Sequence, residues 1–202
     1  MTQLEASTQI DFSEEVLRGG VFVELRNGLN VLVRKLRRSD GERIYRFVSN
    51  LSPHSRNMFH PYPFDRYIAE RAAAEANSLS SFRLVALHGN DIVGYAYWRQ
   101  RTLRPHFPVV SIAVADAFQN QGLGRYLLRL LIEAARQRAK RGLELAVFKS
   151  NSRAIHLYES LGFCIIGETA DRRQYVMRLE FPRKKRKRKR KFKFRFWFWG
   201  GG

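Results

Sequence analysis

The stretch DAFQNQGLGRYLL, residues 116–128, constrains this chain most. Gly122 and Gly124 open a leucine-rich run, although glycine is a poor helix former. An apolar, strand-like run, VVSIAVA (109–115), precedes them. A strand, then Gln-x-x-Gly-x-Gly, then an amphipathic helix is an arrangement suited to holding phosphate. N–H groups at a helix start lack acceptors and point one way. The helix dipole adds partial positive charge there, and glycine removes the Cβ atoms that would keep a pyrophosphate from the amides. Leu123, Leu127, Leu130, Leu131 and Ala134 form the stripe such a helix buries, with Arg125, Arg129, Arg136 and Lys140 mostly outside it. Two common phosphate sites are excluded. A P-loop needs Gly-Lys-Ser/Thr, whereas Arg125 and Tyr126 follow Gly124; a Rossmann turn needs a third glycine where Leu127 stands. A turn that uses its glycines only for packing is the plain alternative.

The flanking pattern is α/β. Residues 21–36 hold two β-rich runs around Asn27-Gly28, a hairpin signal. Ser39 and Glu42 have capping-box spacing ahead of a helical face of Ile44, Phe47, Val48 and Leu51, which Pro53 should end. Residues 65–77 read as an alanine-rich helix, and residues 82–101 as a hairpin turning at Gly89-Asn90-Asp91. A strand over 143–148, a helix over 151–163 closed at Gly162, and strands over 164–169 and 173–181 complete the body. Residues 1–18 read as frayed chain or a short helix. The order ββα-α-ββ-β-α-β-α-β-β implies an α/β or α+β fold with a mixed sheet.

A chain of 202 residues suits one domain with a real core. Its net charge of +19 is uneven: 11 of the 37 Lys and Arg lie between Arg183 and Arg195, leaving about +8 on the rest. The tail alternates basic with aromatic residues. Residues 183–199 would suit nucleic acid or an anionic membrane, or be a non-native extension. Cys164 is the single cysteine, so no intramolecular disulfide or Cys-rich zinc site forms; a reducing, cytoplasmic setting fits. Cys164 itself is expected to be a small core residue. There is no secretory signal pattern and no run of about 18 apolar residues to cross a membrane.

Two linked motifs resemble the GNAT N-acetyltransferase superfamily. VVSIAVADAFQNQGLGRYLL is similar to its acetyl-CoA pyrophosphate motif, and ELAVFKSNSRAIHLYESLGF to its later Asn-x-x-Ala-x-x-Leu-Tyr-x-x-Leu-Gly-Phe motif. Asn151, Ala154, Leu157, Tyr158, Leu161, Gly162 and Phe163 match the latter residue by residue. LSPHSR (51–56) weakly resembles bacterial and archaeal members. The resemblance covers about residues 29–181, with 1–28 as an extension carrying the first hairpin strand and 182–202 as a tail. It implies a mixed, mostly antiparallel central sheet flanked by helices. It also implies direct transfer of acetyl from acetyl-CoA, as co-substrate, to a primary amine without a metal.

On this resemblance the backbone of Ile112, Ala113 and Val114 pairs with pantetheine. Gln119, Asn120, Gln121, Gly122, Leu123, Gly124 and Arg125 cradle the pyrophosphate. Tyr158 is the acid or hydrogen-bond donor for the departing thiolate. Asn151 lies near pantetheine or Tyr158, and its type and position also suit a helix N-cap. The base is the departure from the family pattern. Many relatives carry a glutamate before the glycine motif, and RPHFPVVSIAV (104–114) has no carboxylate. His106 carries the nearest imidazole, the side chain suited to proton transfer near neutral pH; His54, His60 and a water chain are its rivals. Tyr95, Tyr97 and Trp98 belong to the core or to an acceptor groove. Acceptor and oligomeric state, monomer or homodimer, stay open. An acyl-CoA sensor without catalysis, or a nucleic-acid or membrane-surface binder led by the tail, are the alternative functions.

Overall fold

The computed structural model describes residues 13–59 and 64–182. Helix α1 (Glu14–Gly19) is capped by the Ser13 hydroxyl and leads into β1 (Val21–Glu24) and β2 (Asn30–Lys35). Helices α2 (Gly41–Ser49), α3 (Pro53–Phe59) and α4 (Arg66–Ala74) follow, then β3 (Ser81–His88), β4 (Asp91–Arg101) and β5 (Arg104–Val114). The chain closes with α5 (Leu123–Gln137), β6 (Gly142–Phe148), α6 (Ser152–Glu159), β7 (Cys164–Glu168) and β8 (Gln174–Glu180). The sheet order is β1-β2-β3-β4-β5-β6-β8-β7. Every pairing is antiparallel except β5 with β6. This is the mixed, mostly antiparallel sheet flanked by helices that the sequence implies.

Side chains alternate across the sheet, so it buries two faces. On one face α5 brings down Leu123, Leu127, Leu130, Leu131 and Ala134, all at most 1 % exposed, against Phe82, Trp98 and Leu143. On the other, Ile44 and Phe47 of α2 and Ala69 of α4 pack on Val85, Tyr95 and Ala113. Leu17 and Leu25 belong to the first core and β1 pairs with β2, so the body does not divide at residue 28.

Local expectations differ from the structure in five places. Gly28 (φ +80) turns the first hairpin, but Leu25 N–H bonds the Leu29 carbonyl around a three-residue loop, and Asn27 is not left-handed. The Ser39–Glu42 box does not form. Asp40 instead accepts from the Arg37 N–H at 2.8 Å, and Glu42 pairs with Arg66. Pro53 stops α2 but also starts α3, where its missing N–H is no loss. Strand β5 extends back through Pro108 and Pro105; odd-numbered residues of β5 bond β4, as Ala115 N–H does to Val93, so Pro108 owes β4 no ladder bond. Cys164 is exposed, because every residue of β7 is exposed at the sheet edge.

One buried pair ties β2 to α2. Asp40 (0 % exposed) takes both guanidinium nitrogens of Arg34 (2 % exposed) at 2.7 and 2.8 Å, and Arg43 at 3.2 Å. Burial pushes the Asp40 pKa up, but Arg34, the Arg37 amide and Arg43 outweigh it and hold the carboxyl below its ordinary value. A depressed carboxylate stabilises above its unfolded pKa of about 3.9 and loses that increment as pH falls through the native value. Asp40→Asn should therefore cost about 3–5 kcal/mol in urea unfolding at pH 7, since Arg34 keeps a buried charge without its partner. The variant should also lose less stability than wild type on acidification below about pH 4.

Candidate active site

Strands β5 and β6 are registered only at Val109 with Glu144. Beyond it β5 follows β4 and β6 follows β8, so the sheet parts. Which backbone groups this leaves open follows from alternation along β5. The Ala115 N–H donates to Val93 on the β4 side, and the His106 carbonyl accepts from Arg141 on the β6 side. Even-numbered residues therefore turn their polar groups toward β6, and at Ile112 and Val114 no strand meets them. The Val114 carbonyl accepts from Gln119 Nε2 at 3.0 Å. A cleft of about 450 Å³ occupies the gap.

The glycine motif closes one end of this cleft. Asn120 (φ +62) and Gly122 (φ +91) are left-handed and Gln121 between them is not. Such alternation turns successive N–H groups to one concave side, a shape that binds anions. The first bond of α5 runs from Tyr126 N–H to the Gly122 carbonyl at 3.1 Å. The N–H groups of Leu123, Gly124 and Arg125 thus have no acceptor in the helix, and no side chain caps them. Arg26, Arg125 and Arg153 line the cleft, and among the described residues no carboxylate does. Arg153 also braces the loop, donating to Gln119 Oε1 at 2.6 Å and Asn120 Oδ1 at 3.4 Å.

The two glycines have different reasons. A Cβ at Gly122 would meet nothing within 4 Å, so its positive φ is the requirement. A Cβ at Gly124 would touch Leu157, Ile112 and Val114 at an ordinary 3.7–3.9 Å, so neither space nor backbone in the fold demands glycine. Gly124 lines the cleft, where any longer side chain would take ligand space.

Helix α6 supplies the other wall. Asn151 Oδ1 accepts from Ala154 N–H at 3.1 Å, so Asn151 caps α6 and lines the cleft at once. Tyr158 lines the cleft too, packed on Phe163 at 5.8 Å. Its hydroxyl has no hydrogen-bond partner among the described residues, and burial pushes its pKa up to about 12. The third wall is α3. His54, Ser55, Met58 and Phe59 lie at i, i+1, i+4 and i+5, one helical face toward the cleft. Asp116 anchors that helix: it accepts from the Ser52 N–H and hydroxyl at 2.9 Å each and from the Ser55 hydroxyl at 2.5 Å. Burial pushes the Asp116 pKa up, and these serine bonds more than reverse it, leaving the carboxyl below its ordinary value.

The structure thus gathers Ile112, Ala113, Val114, Gln119, Asn120, Gly122, Gly124, Arg125, Asn151 and Tyr158 around one cleft. Gln121 supports it from behind, its carbonyl accepting from the Arg26 N–H at 3.2 Å, and Leu123 is core. His106 is not brought there. It is exposed, and six residues of strand separate it from Ile112, about 20 Å at ~3.3 Å per residue. His54 does reach the cleft, and His60 lies outside the described residues. Arg26, Arg153 and His156 are additions that the sequence reading missed; Arg153, inside the Asn-Ser-Arg-Ala stretch, was the one with a local signal. Trp98 is fully buried core. Among the described residues no group of His, Cys, Asp and Glu could hold a metal, and no helix is long and apolar enough to cross a membrane.

Fold and cleft together have the form of a domain holding a phosphate-bearing ligand across a parted sheet. A sequence model described as "Acetyltransferase (GNAT) family" matches residues 44–163. The chain is 30% identical over 141 residues to the L-amino acid N-acetyltransferase AaaT of Escherichia coli (strain K12), covering 68% of this chain and 85% of that protein. It belongs to the GNAT acetyltransferase family. A shorter match, 49% identical over 65 residues, links it to the [Ribosomal protein bS18]-alanine N-acetyltransferase of the same organism. It takes in 32% of this chain and spans 42% of that relative's length. Among solved structures, the GNAT domain of S. lividans PAT superposes with a TM-score of 0.72 at 20% identity, over 80% of this chain and 97% of that one. A Salmonella typhimurium protein solved with acetyl-CoA gives 0.62 at 22% identity, over 77% and 96%. At these identities the structures share the fold.

The two glycines should separate in urea unfolding. Gly122→Ala should destabilise by about 1–2 kcal/mol through its left-handed φ. Gly124→Ala should be neutral or stabilising by up to about 1 kcal/mol, because alanine replaces glycine inside a helix without a clash.

Proposed function

We propose that the protein is an N-acetyltransferase that moves the acetyl group of acetyl-CoA to a primary amine within a ternary complex. The observation that carries this reading is the parted β5–β6 edge beside an uncapped, arginine-rich helix start. The ligand implied is an extended amide-bearing arm ending in a pyrophosphate. The free backbone groups of Ile112 and the Val114 N–H suit the arm. The amides from Asn120 to Arg125, with Arg26, Arg125 and Arg153, suit the phosphates. Relatives named for acetylating ribosomal protein or L-amino acids agree with an amine acceptor.

The co-substrate supplies an activated acyl group, a thioester. The amine nitrogen bonds to its carbonyl carbon and the carbon–sulfur bond breaks. An ammonium acceptor must first lose one proton, and the thiolate takes another from the new amide nitrogen or a donor beside it. Alkyl amines near pKa 10.4 are mostly protonated at neutral pH, so a base in the cleft is needed. His54 is assigned this role in place of His106, because α3 presents it to the cleft. Imidazole is the side chain that changes charge between about pH 5 and 8. Tyr158 serves the leaving group. A phenol near pKa 12 would give its proton outright to a thiolate near 8.5 only at a cost on the order of 5 kcal/mol. Its contribution is a hydrogen bond to the developing thiolate, which strengthens as charge builds. The polybasic segment 183–199 lies outside the described residues.

Gly124→Glu places a carboxylate where the pyrophosphate would lie. It should abolish calorimetric binding of acetyl-CoA while the protein stays folded; normal binding by a folded variant would remove the co-substrate from this cleft. Tyr158→Phe keeps the ring and its contact with Phe163, and removes a hydroxyl that bonds nothing among the described residues. Stability and acetyl-CoA affinity should hold, while kcat falls on the order of 10²-fold. Unchanged kcat would leave Tyr158 a packing residue.

A further inference from the structure

Strand β3 is buried along nearly its whole length, yet its third residue is Arg83, 5 % exposed. A buried guanidinium is costly unless its charge and donors are met. Two are: Nη1 donates to the Tyr95 hydroxyl at 2.8 Å and Nη2 to Glu75 at 2.5 Å. Its Nε is buried without a partner. Beside it opens a second cavity of about 200 Å³, on the α4 face of the sheet. Phe59, Phe64 and Ile68 give it apolar wall, and Arg71 and Arg99 bring two more guanidiniums to its lining. Arg71 and Arg99 are exposed and have no ion-pair partner among the described residues. Among the described residues three guanidiniums thus face one carboxylate, Glu75.

This cavity adjoins the cleft. Phe59 lines both, and Tyr95 of the cavity is registered with Ala113 of the cleft across β4 and β5. Neighbouring strands lie only about 4.8 Å apart. A ligand filling the cavity would therefore hold its far end at the cleft's edge, beside the α3 face that carries His54.

We propose that this cavity is the acceptor site, and that it takes a small amine with an apolar body and a carboxylate, an apolar α-amino acid in its simplest form. The inference rests on the acetyl-transfer reading above and adds its substrate class. The excess of two positive charges favours a carboxylate and disfavours polyamines. Guanidinium is the group that pairs with a carboxylate through parallel bonds. The cavity's size suits one side chain rather than a folded protein surface. The same charges turn the acceptor's amino group away from the arginines and toward the cleft. In the reaction the amine nitrogen gains the acetyl group and loses two protons, and one of them ends on the coenzyme A sulfur.

The test titrates L-leucine, L-phenylalanine and their carboxamides into the full chain with coenzyme A present, read by calorimetry. The free acids should bind about tenfold or more tightly than the amides, the size expected of a charge-assisted bond. The double variant R71E/R99E alters two exposed side chains outside both cores. It should erase that preference and leave the coenzyme A titration unchanged. In turnover it should raise KM for the amino acid at least about tenfold with kcat little altered, as loss of uniform binding does. Equal binding of acid and amide overturns the proposal, as does a preference that survives in the double variant. A short peptide N-terminus acetylated in preference to the free amino acids also overturns it. Coenzyme A binding with no response to any acceptor overturns the cavity assignment alone; failure of wild type to bind coenzyme A overturns the acetyl-transfer reading beneath it.

Discussion

Backbone left unpaired in the middle of a sheet is the constraint on which the rest depends. Buried N–H and C=O groups are strong donors and acceptors, and leaving them unmet costs about as much as a lost hydrogen bond. Here β5 and β6 share one registered pair and then part. Neither can close the gap, because β5 is held by β4 from Val109 to Val114, and β6 by β8 from Gly142 to Phe148. One free group, the Val114 carbonyl, is met by Gln119. The remainder face a cleft, and a ligand with amides of its own can complete the sheet there.

The surrounding parts are arranged about that gap. The helix that starts at its end is left uncapped, while α6, starting at the other wall, is capped by Asn151. The uncapped start is the one at the glycine motif, the end of the cleft we propose for the pyrophosphate. Asp116 links the phosphate loop to α3: it accepts from Ser52 and Ser55, and Gln119 Nε2 reaches the Ser55 hydroxyl at 3.2 Å. The helix that separates the cleft from the second cavity is thus fastened to the loop that would grip the pyrophosphate. The sheet divides the labour as well. Its α5 face carries the helix that starts at the glycine motif, and its α4 face carries the arginine-lined cavity.

What could be read from the residues was local. The Gly122-x-Gly124 pair, the leucine stripe of α5, and the run from Asn151 to Gly162 each state their structure within a few neighbours, and the structure places a helix start, a buried stripe and an Asn-capped helix there. Long-range placement was hidden. Pro53 forbids a helix from continuing and equally favours one beginning, and the residues after it decide which. His106 and Ile112 are close in sequence, but an extended strand converts six residues into a distance no proton transfer spans. Arg26 reaches the cleft only because β1 and β2 fold back against the loop at Gln121. Arg83 reads as one more cation in a basic chain, and only the tertiary fold buries it beside Tyr95 and Glu75. Cys164 looked like core because its strand is apolar, yet that strand forms the sheet's edge.

The parted strands and the uncapped helix start together form, on our proposal, one ligand site. Backbone amide NMR of the folded body during titration with coenzyme A tests it residue by residue. The largest shifts should fall on the amides of Ile112, Val114, Gly122, Gly124 and Arg125, while those around Arg83 and Tyr95 stay nearly still. Shifts concentrated away from that set, or spread evenly over basic surface residues, would contradict it.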